Sequence, residues 1–105
     1  MHLNDQNKND IAKHAIEEFP NECCGLLVDS KIVRCMNIAN NKKYFFEISP
    51  QEYLKASNEG KITAFYHSHT EGNEEFSTFD KLVSNAHQLP IIMFSTASNN
   101  FKIYG

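Results

Sequence analysis

The residues of this chain that could do chemistry are concentrated between positions 67 and 80, in the stretch His-Ser-His-Thr-Glu-Gly-Asn-Glu-Glu-Phe-Ser-Thr-Phe-Asp. His67 and His69 follow an apolar run that is typical of a strand, and residues i and i+2 of a strand project from the same face. Asp80 supplies a carboxylate one turn into the helix that we expect Ser77 to start. Two histidines and one carboxylate leave the fourth tetrahedral position of a zinc ion open for water, as in catalytic zinc sites.

Simpler explanations exist for each part of this stretch. Residues 77–80, Ser-Thr-Phe-Asp, also form a capping-box pattern, in which a serine and a later acid satisfy free amide groups at a helix start. Exposed histidines at a strand end would be ordinary, and the loop acids Glu71, Glu74 and Glu75 are most simply solvated charges. A secondary interpretation is that these acids attract cationic substrate groups, an effect that salt would weaken. The conjunction of all the spacings favours a metal site.

The spacing resembles the JAMM motif of the JAB/MPN/Mov34 metalloprotease family, which combines His-x-His, seven residues, Ser-x-x-Asp and an upstream glutamate. In this chain the motif positions are held by His67, His69, Ser77, Asp80 and Glu22. The resemblance covers nearly the whole chain. It is strongest to the short prokaryotic and phage-tail-type domains, because residues 21–27 and 46–53 are similar to segments found there. Thr70 departs from the pattern, since many members have proline at this position, which is not a ligand position.

The resemblance implies a zinc-dependent metallopeptidase that hydrolyses a peptide or isopeptide bond. It implies that His67, His69 and Asp80 bind Zn²⁺, that Glu22 is the general base, and that Ser77 stabilises the oxyanion. By its local sequence alone Glu22 would be a surface carboxylate, and only the resemblance gives it a role.

The implied partners are protein or peptide substrates. A chain of 105 residues leaves little surface for gripping the body of ubiquitin. We therefore expect an extended C-terminal tail, from a ubiquitin-like carrier or a phage-tail protein, to lie along the strand edge beside His67.

Two rival functions belong to other classes. Some family members are silent scaffolds that act by binding, but those members usually lack part of the motif, and here every position is filled. Zinc deaminases have a similar fold, but their Pro-Cys-x-x-Cys signature does not occur in this chain. The sequence therefore favours the metallopeptidase over a non-catalytic or weakly active scaffold of a phage-tail-type assembly.

The composition predicts one small globular domain, residues 1–105, and excludes several partners. The net charge is −3 and no basic stripe is present, so we expect no nucleic acid. No apolar run approaches a membrane span and the first residues are polar, which favours a cytoplasmic protein, or a virion-associated one if it is phage-derived. Cys23, Cys24 and Cys35 are expected to be buried reduced thiols, because their spacing suits neither disulfides nor thiolate ligands.

Hydrophobic periodicity predicts three helices, two hairpins and one further strand. The predicted elements are a helix over 11–19, strands 23–28 and 31–36, a short strand or aromatic cover at 44–46, a helix between Ser49 and Gly60, a strand at about 61–67, a helix between Ser77 and Pro90, and strands 91–95 and 101–104. This order predicts an α+β fold, a mixed sheet with helices packed on it. The family resemblance implies the same α/β sandwich, with a curved sheet akin to that of cytidine deaminases.

Helical spacing also predicts which side chains face the sheet. It places His14, Glu17 and Glu18 on a solvated flank of the first helix. The third helix is expected to pack on the sheet through Phe79, Leu82, Val83 and Ala86. Gly60 is expected to end the second helix in a left-handed conformation.

Overall fold

In a computed structural model that describes all 105 residues, helices pack against one five-stranded sheet. The elements are α1 (Asp5–Glu18), β1 (Cys24–Val28), β2 (Lys31–Cys35), α2 (Pro50–Glu59), β3 (Ile62–His69), α3 (Thr78–His87), β4 (Ile91–Ser95) and β5 (Phe101–Tyr104). The strand order is β2-β1-β3-β4-β5, and all neighbours are antiparallel except β3 and β4. This mixed sheet confirms the predicted α+β class. No helix combines the length and apolar character that crossing a bilayer requires.

Strand β3 occupies the centre of the sheet. His67 lies opposite Cys24 of β1 on one side and Met93 of β4 on the other, so both of its neighbours in the ladder are taken. The prediction that a substrate tail adds along a strand edge beside His67 is therefore wrong. The prediction fails because β3 pairs on both sides with strands from distant parts of the chain. Free edges remain only on β2 and β5, at the ends of the strand order.

The two faces of the sheet pack against different helices. On one face Ile11 and Ala15 of α1 join a buried cluster with Ala64 and Tyr66 of β3. On the other face Phe65 of β3 packs in a second cluster, which includes Ala56 of α2 and is flanked by Phe79 and Val83 of α3. Because side chains alternate along a strand, β3 directs residues 65, 67 and 69 toward the side of α2 and α3.

All three cysteines are buried and unpaired, which confirms the predicted reduced thiols. Burial raises the pKa of Cys23 and Cys35 to about 12 and also raises the pKa of Cys24. These groups therefore remain neutral thiols at ordinary pH, and a thiolate is the form that binds metal. Their role is packing in the core.

The first helix begins earlier than its apolar spacing predicts. It starts at Asp5, because the side chain of Asn4 accepts a hydrogen bond from the backbone N–H of Asn7 at 2.7 Å and caps the helix. His14 is buried, so the prediction that it lies on a solvated flank of the first helix is wrong. Its Nδ1 lies 2.7 Å from the Tyr66 hydroxyl, and this partner from β3 makes burial of a polar ring tolerable.

Two glycines allow close approaches of the backbone. Gly60 is extended at φ 174°, not left-handed as predicted, and an added Cβ would lie 2.0 Å from an Asp29 carboxylate oxygen. An added Cβ at Gly25 would lie 2.3 Å from the Tyr66 ring and 2.4 Å from the Val33 carbonyl oxygen. Glycine at position 25 therefore leaves room for the Tyr66 ring against β1, one residue before His67 in β3.

Three further details differ from the sequence predictions. Leu82 is 61% exposed, so the face of α3 that packs on the sheet is narrower than predicted and rests on Phe79 and Val83. Residues 44–46 form no strand, but Phe46 is buried and covers the His67 ring, with centroids 4.9 Å apart. Strand β3 extends to His69, two residues beyond its predicted end, because β4 pairs with it up to Ser95.

Candidate metal centre

The two histidines of β3 and the carboxylate of α3 meet at one point. His67 and His69 lie two residues apart on the same face, and their Nε2 atoms are 3.0 Å apart. Asp80 Oδ2 lies 3.1 Å from His67 Nε2 and 3.2 Å from His69 Nε2. All three side chains are buried. The structure thus brings together the three residues that the sequence predicts as metal ligands.

The capping box at the start of α3 positions the carboxylate. The Ser77 hydroxyl accepts a hydrogen bond from the Asp80 backbone N–H at 3.0 Å, and Asp80 Oδ2 accepts one from the Ser77 backbone N–H at 2.9 Å. The same oxygen, Oδ2, faces both imidazoles. Capping the helix and binding a metal are therefore compatible roles for Asp80, because the same carboxylate oxygen accepts the Ser77 N–H and faces both imidazoles.

Backbone carbonyls fix the tautomer of each imidazole. His67 Nδ1 lies 2.9 Å from the Ile92 carbonyl oxygen, and His69 Nδ1 lies 2.8 Å from the Asn73 carbonyl oxygen. A carbonyl only accepts hydrogen bonds, so each Nδ1 carries a proton. In a neutral ring the lone pair is then on Nε2, which is the usual arrangement of metal-binding histidines. Two imidazole lone pairs and a carboxylate oxygen therefore point at one another.

Such a cluster requires a positive charge among its three atoms. Burial disfavours the charged form of Asp80, but hydrogen bonds from the His67 and His69 rings, which form when an Nε2 atom carries a proton, hold the pKa of its carboxyl well below the usual range. Burial lowers the pKa of His69, but the hydrogen bonds to Asp80 and to the Asn73 carbonyl reverse this and raise it. The site favours a cation, which either a proton or a metal ion can supply.

The spacing fits a small tetrahedral ion. An ion with bonds of about 2.05 Å to nitrogen and oxygen places tetrahedral ligand atoms about 3.3 Å apart. The three observed separations are 3.0, 3.1 and 3.2 Å. Ca²⁺ takes six to eight oxygen ligands at longer distances, so two imidazoles do not suit it. The donor set and spacing fit Zn²⁺.

Glu22 lies beside this triangle and is buried, so the surface position that its local sequence suggests is wrong. Ligand atoms of Glu22, His67 and His69 all lie within 4.8 Å of one another. Glu22 and Asp80 therefore offer two carboxylates to the same pair of histidines. Asp80 is the closer ligand, since its oxygen is within 3.2 Å of both rings.

The segment after β2 buries Glu22. The Glu22 backbone N–H donates to the Lys42 carbonyl at 2.8 Å, and the Asn37 side-chain amide donates to the Glu22 carbonyl at 2.9 Å. Burial raises the pKa of the Glu22 carboxyl to about 8, while the charge of His69 lowers it and that of Asp80 raises it. Glu22 therefore holds a proton near neutral pH when no metal is bound.

An open cleft of about 90 Å³ gives access to the site, and Glu22, His69 and Ser77 line it. The Ser77 oxygen accepts the Asp80 N–H, so the hydroxyl proton is free to donate into the cleft. An ion pair between Lys43 and Glu71, 3.2 Å long, lies at the cleft, and both side chains stay nearly half exposed, in keeping with the solvated charge expected for Glu71.

Ser68 is a positioning residue that the sequence predictions did not include. Its hydroxyl accepts a hydrogen bond from the Cys23 N–H at 2.8 Å, and its own N–H donates to the Cys23 carbonyl at 3.2 Å. These two hydrogen bonds join Cys23, which follows Glu22, to Ser68, which lies between His67 and His69. Because side chains alternate along a strand, Ser68 lies on the opposite face from His67 and His69. A polar residue between two ligands is therefore a sequence signal from which this positioning role could have been predicted.

Comparison with known proteins identifies the family and the fold of the chain. Residues 5–104 match the family model of prokaryotic homologues of the JAB domain. The chain is similar to the tail tip assembly protein K of Escherichia phage N15, with 34% identity over 84 residues that cover 76% of this chain and 35% of that protein. It shares its fold with the solution structure of protein DSY2949 from Desulfitobacterium hafniense, at 23% identity and a TM-score of 0.75, over 96% of this chain and 79% of that one. Because the family match spans nearly all of its residues, the chain belongs to the prokaryotic JAB family.

Proposed function

We propose that residues 1–105 form one JAB domain that binds a single Zn²⁺ through His67, His69 and Asp80 and hydrolyses a peptide or isopeptide bond. One observation supports this above all: three atoms with lone pairs converge within 3.2 Å, and backbone carbonyls fix the tautomers of both imidazoles. Membership of the JAB family adds to the support.

When bound, zinc lowers the pKa of a coordinated water to near 7 and polarises a carbonyl group. Glu22 accepts a proton from the attacking water on a carboxylate oxygen and then passes it to the leaving amine. Burial raises the pKa of Glu22 in the absence of metal, and a cation bound beside it would lower that pKa and leave the carboxylate free to accept a proton. The Ser77 hydroxyl donates a hydrogen bond to the oxyanion of the tetrahedral intermediate.

The metal content of purified protein tests the proposal directly. We expect elemental analysis of protein prepared without chelators to find one zinc per chain. Dialysis against a chelator should remove the zinc and any hydrolysis of peptides or ubiquitin dimers, and added zinc should restore both. Hydrogen bonds within the sheet hold the two histidines, so circular dichroism should show the metal-free protein still folded. A protein that contains no zinc and gains none on addition would contradict the proposal.

Two substitutions in the capping box distinguish the contribution of helix capping from that of zinc binding. Ser77→Ala should lower the free energy of unfolding by about 0.5–2 kcal/mol, keep zinc, and slow hydrolysis by about 10²–10³-fold. Asp80→Asn should preserve the cap, because its amide oxygen can accept the Ser77 N–H, but should weaken zinc binding by more than about 100-fold through loss of the charge. Urea unfolding and zinc titration measure the two effects. Unchanged zinc affinity in Asp80→Asn would assign the carboxylate ligand to Glu22 instead.

A second candidate function rests on the phage relative, which is named as a tail tip assembly protein. In this alternative the domain binds another tail protein in the cytoplasm or in the virion, and the metal site stabilises the fold without catalysis. Zinc-loaded protein that cleaves no peptide or ubiquitin dimer, but that forms a stable complex with a tail protein encoded beside it, would favour this alternative.

A further inference from the structure

An apolar hollow adjoins the candidate cleft, at the ends of β3 and β4. It has a volume of about 430 Å³ and is lined by Ile16, Phe19, Thr70, Thr96 and Ala97. Thr70 also lines the cleft that holds Glu22 and Ser77, so the two spaces meet at this residue. We propose that this hollow binds a large apolar side chain of the substrate next to the bond that is cleaved, an inference that rests on the proposed peptidase function.

The position of the hollow supports this assignment. Strands β3 and β4 are the parallel pair of the sheet, and ligands of open α/β sheets bind outside the carboxyl ends of parallel strands. Thr96, one residue past β4, donates to the His69 carbonyl through both its N–H at 3.1 Å and its hydroxyl at 3.3 Å. One wall of the hollow is thus attached to the backbone of a proposed zinc ligand.

The end of α1 forms the opposite wall. Phe19 follows the last residue of α1 and precedes Glu22 by three positions, so at most about 10 Å of backbone separates this wall from the proposed general base. Ile16 and Phe19 are 68% and 56% exposed, so the core does not use them. A substrate side chain in the hollow would cover part of this apolar surface, which is favourable in proportion to the area removed from water.

Size distinguishes the two spaces. The cleft beside Glu22 holds about 90 Å³, which is enough for a few waters or an amide group. The hollow holds about 430 Å³, within the range of roughly 300–1,000 Å³ that ligand-binding pockets have. The reacting bond therefore fits in the cleft, and a neighbouring side chain fits in the hollow.

The polar groups of the hollow decide the chemistry of its occupant. None of its five lining residues is charged. The Thr96 hydroxyl already donates to the His69 carbonyl, and the Thr70 hydroxyl donates to the Lys43 carbonyl at 3.4 Å. A charged substrate side chain would lose water without gaining a partner, which is unfavourable. The hollow therefore selects leucine, methionine, phenylalanine or a similar side chain over aspartate or glycine.

Peptide binding to zinc-loaded Glu22→Gln protein tests this without requiring hydrolysis. The probes are fluorescein-labelled octapeptides of glycine and serine that differ only in one central residue, leucine, glycine or aspartate. Fluorescence anisotropy should show the leucine peptide bound at least about 10-fold more tightly than the other two. Equal affinity for the three peptides, or no measurable binding of any of them, would overturn the inference.

Three variants locate the binding. Ala97→Phe, which fills the hollow, and Ile16→Ser, which removes an exposed wall residue without touching the core, should each abolish the preference for leucine. Leu54→Ala is the matched control, because Leu54 is 61% exposed and lines a different groove beside α2, so the preference should persist. A preference that survives both Ala97→Phe and Ile16→Ser would place the binding elsewhere and overturn the inference.

The two proposals fail in distinguishable ways. Suppose that wild-type protein cleaves no peptide, but the Glu22→Gln protein binds the leucine peptide more tightly and the hollow variants abolish this preference. The binding site is then supported and the peptidase function is contradicted. If wild-type protein cleaves all three peptides at equal rates, and Glu22→Gln binds them equally, the peptidase stands and the hollow has no part in specificity.

Discussion

Glu22→Gln is expected to bind as much zinc as the wild type and to lose hydrolysis by at least about 10²-fold, the usual contribution of a positioned general base. The amide that replaces the carboxylate cannot accept a proton from water. The fold should be unaffected, because the contacts that hold residue 22 to Lys42 and Asn37 are made by its backbone. The measurement is kcat/KM for a cleaved peptide, with elemental analysis of the same preparations.

A matched control for this substitution is Glu71→Gln. Glu71 lines the same cleft but is half-exposed and paired with Lys43, so its loss should change kcat/KM by no more than a few fold. If Glu22→Gln remains within a few fold of the wild type, Glu22 is not the base. Glu17 and Glu18, on the nearby end of α1, would be the next carboxylates to replace.

The double variant His67→Ala/His69→Ala is expected to lose zinc completely. Asp80 alone then remains of the three proposed ligands, and one carboxylate does not hold zinc at the concentrations of a purified protein. Thermal unfolding should also occur at a lower temperature, since the His67 ring is fully buried against Phe46 and its removal leaves a cavity. Elemental analysis measures the metal, and circular dichroism shows whether the sheet persists.

His87→Ala is the control for the double variant, because it removes an exposed imidazole that packs on Tyr53 and Phe65, away from the cluster. It should retain one zinc per chain. Full zinc occupancy in the double variant would show that other residues hold the metal.

Local patterns predicted most of the site. The period of two along β3 places His67 and His69 on one face, and the Ser77 cap sets the helical turn from which Asp80 projects. Both rules act over a few residues, so they can be applied to a sequence alone. The additional finding is that one oxygen of Asp80 serves the cap and faces both rings, which no spacing could reveal.

Contacts between distant parts of the chain were the source of the errors. The predicted solvated face for His14 failed because Tyr66, far along the chain, supplies a hydrogen bond inside the core. The surface position expected for Glu22 failed because the segment around Asn37 and Lys42 folds over it. The predicted free edge beside His67 failed because strand order depends on pairings that hydrophobic periodicity does not determine.

The central place of β3 gives the ligands of the proposed site unequal mechanical support. His67 and His69 lie on a strand hydrogen-bonded on both sides, and opening it would require separating the sheet into two halves. Asp80 lies on a ten-residue helix whose buried residues are Asp80 and Ser84. Segments with few buried residues open at lower free energy than the centre of a sheet. Metal exchange would therefore begin with a small outward movement of α3, while the two imidazoles keep their positions until the whole sheet unfolds.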